Sequence, residues 1–123
     1  MIKVLIADDS VIVRERLADM LSELEGIQLV AQAEDALEAR SLAQKHRPDV
    51  AILDVRMPGG SGVDVLHDIK KRSPDTTVIM LTAYPHADIR NKCVEGGADY
   101  FLEKSTEFPR VLAILSDRLS GLA

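Results

Sequence analysis

Cys93 is the only cysteine in 123 residues, so neither an internal disulfide nor a thiolate metal cluster can form within the chain. That scarcity fits a reducing compartment, with Cys93 read as a free structural thiol. Long apolar runs are also missing. The longest span a handful of residues, far short of a membrane crossing, and the opening MIKVLIADD has no apolar stretch followed by a cleavage site. A cytoplasmic protein is expected. Excess positive charge is absent too: the formal net charge is −5 and the lysines and arginines are scattered, which argues against a chain built to coat nucleic acid. His46, His67 and His86 stand at unrelated spacings, and no metal triad is read from them. There is no repeat, no low-complexity tract and no linker.

What is there is ordinary globular composition, 46% hydrophobic and 28% charged, in a length that suits one domain. IKVLIA (2–7) reads as a strand, followed in DDS by possible helix caps. Val13, Leu17, Met20, Leu21 and Leu24 form one stripe of a helix ending near Gly26. IQLVAQA (27–33) is a second strand. The next helix opens at Asp35 with Glu38 at capping-box spacing and stops before Pro48. DVAILD (49–54) is a third strand, VRMPGGSG its loop, and VDVLHDIKKR a helix ending before Ser73-Pro74. TTVIMLTA (76–83), a helix around 86–95 and DYFLEK (99–104) follow. A last helix is expected from Ser105 or Thr106, with Pro109 in its first turn and Val111, Leu112, Leu115 and Leu119 on one face. This alternation predicts an α/β, doubly wound (βα)5 domain. Its parallel sheet has five strands, with the apolar third and fourth at the centre.

In such sheets ligands bind beyond the carboxyl ends of the strands. Those ends carry Asp8 and Asp9, Asp54, Thr82 and Lys104. Each alone has a plain reading: Asp8-Asp9-Ser10 as a helix cap, Asp54 as a turn residue, Thr82 as a strand threonine, Lys104 as a solvated lysine. Together they form a chemical set. Two like charges about 4 Å apart repel by roughly 4 kcal/mol at an effective dielectric of 20, and a divalent cation relieves this. Oxygen ligands with water completing the shell suit Mg²⁺, which usually accompanies phosphate. Lys104 and Thr82 could hold the oxygens of a transferring phosphoryl group, and a carboxylate can be the nucleophile.

In LIADDS, DVAILDVRMPGGSG, LTA and GGADYFLEKS, in that order and spacing, the chain resembles the receiver domain of two-component response regulators over essentially its whole length, residues 1–123. The resemblance implies a flavodoxin-like strand order 2-1-3-4-5. It also implies Asp54 as phospho-acceptor, Asp9, Asp54 and the Arg56 carbonyl as Mg²⁺ ligands, and Asp8 acting through metal-bound water. Thr82 and Lys104 would contact the phosphoryl group, and Phe101 would be the rotating aromatic switch. The phosphoryl donor would be a histidine kinase, a histidine phosphotransfer protein or a small phospho-donor. Phosphorylation would remodel the face of the fourth helix, fifth strand and last helix, which would then bind a downstream protein or a second copy. No nucleic-acid binding, membrane contact, turnover catalysis or output domain is expected within this chain.

Three departures from the pattern stand out. Ser105 occupies the place where many receivers have proline behind a cis bond, so that bond is either trans or strained. Phe101 replaces the commoner tyrosine, with Tyr100 on the opposite face as packing. Arg56 and Tyr84, each two residues beyond a site residue, are bulky enough to hinder an attacking water. PGGSG lacks the ending of a P-loop and shapes the pocket instead. The competing readings are a receiver fragment of a larger regulator, an aspartate-nucleophile phosphatase, a flavin module and an unphosphorylated adaptor. Against the phosphatase, Arg56 stands where a second acid would be needed; against flavin, DDS would repel the phosphate.

Overall fold

The computed structural model describes residues 1–121. Its elements in chain order are β1 (Ile2–Ala7), α1 (Val11–Ser22), β2 (Ile27–Ala33), α2 (Ala36–His46), β3 (Val50–Leu53), β4 (Arg56–Met57), β5 (Gly60–Ser61), α3 (Gly62–Arg72), β6 (Thr77–Thr82), α4 (Ala87–Glu95), β7 (Tyr100–Glu103), α5 (Lys104–Glu107) and α6 (Arg110–Gly121). Five parallel strands form the sheet in the order β2-β1-β3-β6-β7. Counted without the short β4–β5 ribbon, this is the expected 2-1-3-4-5. No helix among the described residues is long and apolar enough to cross a membrane.

Alternation along each strand divides the core between the two faces of the sheet. Leu5, Ala7, Ala51, Leu53, Val78 and Met80 pack on one side with residues of α2, α3 and α4. Val4, Ile6, Ile52, Ile79, Leu81 and Leu102 pack on the other with Leu17 and Leu21 of α1 and Val111 and Leu115 of α6. β3, the central strand, is buried throughout. The β1–β2 register shifts between Val4 and Leu5, which leaves Ala7 opposite Ala33 at the carboxyl edge.

Local chemistry sets the helix starts at that edge. Ser10 Oγ accepts the Val13 N–H at 3.3 Å, and Asp35 Oδ1 accepts the Glu38 N–H at 2.7 Å. Glu38 reaches back to the N–H of Glu34, one residue before the cap. Two expectations are corrected. The loop after β3 contains the antiparallel β4–β5 ribbon, turned at Pro58-Gly59 with Gly59 at φ 78°. The last helix is two helices: α5 begins at Lys104 itself, and α6 begins at Arg110, after Pro109, whose missing N–H breaks the ladder. No peptide bond among the described residues is cis, so Lys104–Ser105 is trans.

Candidate functional site

The carboxyl ends of β1, β3 and β7 bring one cation and three carboxylates together. Asp8 and Asp54 are 2% and 7% exposed, whereas Asp9 faces solvent. One carboxylate oxygen from each lies within 4.8 Å of the others. Asp54 sits one residue past β3, its backbone still laddered to β1 through Asp54 N–H to Ala7 O at 2.9 Å. Gly62, the first residue of α3, presses against it from behind: a Cβ at that position would fall 1.9 Å from the Asp54 carbonyl oxygen. Nothing in the sequence pattern marks Gly62 apart from Gly59 and Gly60, because the requirement is a close approach made only in the folded chain.

Lys104 Nζ reaches Asp8 Oδ2 at 2.6 Å and Asp54 Oδ2 at 3.1 Å. Burial, and then the negative charge of Asp8, push the Asp54 carboxyl above its usual range; Lys104 and the backbone of Arg56 oppose this without overcoming it. Burial works against the Lys104 ammonium, but hydrogen bonding and charge from Asp8 and Asp54 win and hold its pKa above the ordinary lysine value. One lysine therefore leaves the acidic pocket under-compensated. Asp8 Oδ2 is buried, and the Lys104 ammonium at 2.6 Å is its close partner. Three converging carboxylates, two of them buried and sharing one ammonium, fit a hard divalent cation.

The remaining expected residues lie on the ribbon, β6 and β7. Thr82, at the end of β6, is 1% exposed, and its Oγ accepts the Tyr84 N–H at 3.0 Å. Arg56 begins the ribbon, and its guanidinium stacks 4.5 Å from the centroid of the exposed Tyr84 ring. Phe101 is not in the pocket: it is half-buried in β7, with Arg90 of α4 over its ring at 5.6 Å. Tyr100 is more exposed than Phe101. His67 and His86 are exposed, as surface positions should be, and His46 is half-buried. Cys93 is a buried free thiol.

The family model for the response regulator receiver domain matches residues 4–116. Response regulator GacA of Pseudomonas aeruginosa is 30% identical over 121 residues, covering 98% of this chain and 56% of that protein. Transcriptional regulatory protein PdtaR of Mycobacterium tuberculosis is 39% identical over 104 residues, covering 83% of this chain and 49% of that protein. The chain thus spans about half the length of these curated relatives. The crystal structure of the response regulator domain of Thermotoga maritima CheB superposes with a TM-score of 0.83 at 31% identity, covering 98% of this chain and 95% of that one. The isolated receiver domain of RcsB from Salmonella enterica, determined in the presence of phosphomimetic BeF3−, gives 0.83 at 28% identity, covering 94% and 88%.

Proposed function

The chain belongs to the response regulator receiver domain family of two-component signalling, and on that premise we propose that it is a switch thrown by phosphorylation of Asp54. The observation that carries this reading is the pairing of a buried Asp54 with Lys104 beside two further carboxylates. In the transfer, an Asp54 oxygen attacks the phosphorus of a phosphohistidine on a kinase or phosphotransfer protein. The O–P bond forms as the P–N bond breaks, and the electron pair of that bond stays on the imidazole nitrogen. Asp8, Asp9 and Asp54, with the Arg56 carbonyl, would hold Mg²⁺, which when bound supplies charge stabilisation for the phosphoryl oxygens. Bound cation would also favour the ionised Asp54 that the attack requires.

Lys104 is placed to pair with a phosphoryl oxygen once Asp54 carries the group. The Thr82 hydroxyl already accepts the Tyr84 N–H, so its own hydrogen is the donor it has to offer. Drawing Thr82 toward the phosphate would pull on the segment leading to α4. Phe101, half-buried beside α4, would then shift population and remodel the face of α4, β7 and α6. Hydrolysis returns the switch: water attacks phosphorus, the O–P bond to Asp54 breaks, and the electron pair returns to the carboxylate. No turnover of an external substrate is involved. We place this switch in the cytoplasm, with output through a protein partner, self-association or a further domain.

The test is intact mass after incubation with acetyl phosphate and with phosphoramidate, each with and without Mg²⁺. The wild type should gain one phosphoryl group only with Mg²⁺, and Asp54→Asn none. A gain retained by Asp54→Asn would move the acceptor elsewhere, and a wild type inert to both donors would overturn the reading.

A further inference from the structure

Arg14 stands behind the acidic loop. It lies in the first turn of α1, its side chain is 14% exposed, and its Nη1 donates to the main-chain carbonyl of Asp8 at 2.5 Å. Its Nη2 is 4.0 Å from Glu34 Oε2, just beyond β2. Asp8 is therefore gripped through its backbone at both ends: its N–H donates to Ala33 O at 3.0 Å, and its carbonyl accepts from Arg14. Its side chain is spoken for as well, Oδ1 accepting the Ser10 N–H at 2.9 Å and Oδ2 facing Lys104. Among the described residues no hydrogen bond restrains the Asp9 side chain, which is exposed.

The carbonyl of Asp8 and the N–H of Asp9 share one rigid peptide plane. Pinning that carbonyl fixes the plane from which the Asp9 side chain springs. We infer that Arg14 is a positioning residue for the cation site, holding the Asp8–Asp9 peptide so that both carboxylates face Asp54. The inference rests on the reading of this pocket as a Mg²⁺ site. It makes an unusual demand, because a guanidinium on the Asp8 backbone carbonyl, beside the cation site, also repels an incoming cation. As a mere neighbouring charge, Arg14 would weaken Mg²⁺ binding, and its removal would tighten it. As a positioning group, its removal loosens binding.

Calorimetric titration with Mg²⁺ alone decides between the two, using wild type, Arg14→Met and Arg14→Lys, with a metal-free thermal melt of each. Loss of an outer support of metal ligands typically weakens affinity about 10-fold or more. The expected result is a Kd raised by that factor in Arg14→Met and by less in Arg14→Lys, which keeps the charge and one donor. A Kd unchanged or lowered in Arg14→Met overturns the inference, even if its melting temperature falls. Should Arg14→Met not fold, a wild-type Kd in Arg14→Lys overturns it equally. A wild type that binds no Mg²⁺ fails differently, by removing the cation site itself.

Discussion

Arg56 and Tyr84 occupy the rim of the pocket as a stacked pair rather than as two independent side chains. We propose that this pair hinders a water approaching phosphorus in line with the Asp54 bond. The stack is exposed, where such contacts are worth about 0.5–1 kcal/mol, so releasing it should change a barrier by a factor of about 2–5. Arg56→Ala and Tyr84→Ala should each speed loss of the phosphoryl group by about that factor. A double variant should be little faster than either single one, because one contact is being removed. Rates of dephosphorylation followed by intact mass check this, and unchanged rates in both single variants would show that the rim does not hinder water. The meeting of Asp8, Asp9, Asp54 and Lys104 was legible at this scale because strand ends in a parallel sheet converge. Arg14 was not: its part depends on a side-chain-to-backbone contact that no spacing rule announces.

The elements around Asp54 owe their arrangement to one missing side chain. α3 begins at Gly62, whose N–H donates to Val55 O at 2.7 Å while its Cα lies against the Asp54 peptide. Gly62→Ala forces either α3 or the end of β3 to move. Overpacking of this kind costs about 1–3 kcal/mol, and the displaced group is the proposed acceptor itself. The variant should melt several degrees lower and accept phosphate from acetyl phosphate more slowly. Gly59→Ala, at a turn open to solvent but with positive φ, should lose some stability and leave the transfer rate unchanged. Equal rates for Gly62→Ala and wild type would contradict the packing argument. Strands and long helices were readable from periodicity. The β4–β5 ribbon and the break between α5 and α6 were not, because two-residue strands carry no pattern and Pro109 was compatible with a first turn as well as with an interruption.

For the molecule as a whole, the under-compensated pocket is a charge carried against the fold. The Asp54 carboxyl has a raised pKa in the folded chain, chiefly from burial and then from Asp8. In the unfolded chain it titrates near pH 4. As pH rises from there to the raised folded value, the unfolded state gives up its proton first, so the metal-free fold loses stability; above that value the loss is constant. Asp54→Asn removes the titration. Without Mg²⁺ it should melt above wild type at pH 7, with the gap closing toward pH 4. Saturating Mg²⁺ should raise the wild type far more than the variant. A variant that melts lower than wild type at pH 7 without Mg²⁺ would show that the Lys104 pairing outweighs burial.

β7, which leads directly into Lys104, is at the edge of the sheet and pairs with β6, yet the cation it delivers pairs with carboxylates that follow β1 and β3. During synthesis, β1, β3 and their carboxylates emerge from the ribosome well before Lys104 does. Until β7 docks, the carboxylates of Asp8 and Asp54 lack the ammonium that pairs with them in the fold. On the proposed reading, the switch is complete only once β7 is in place.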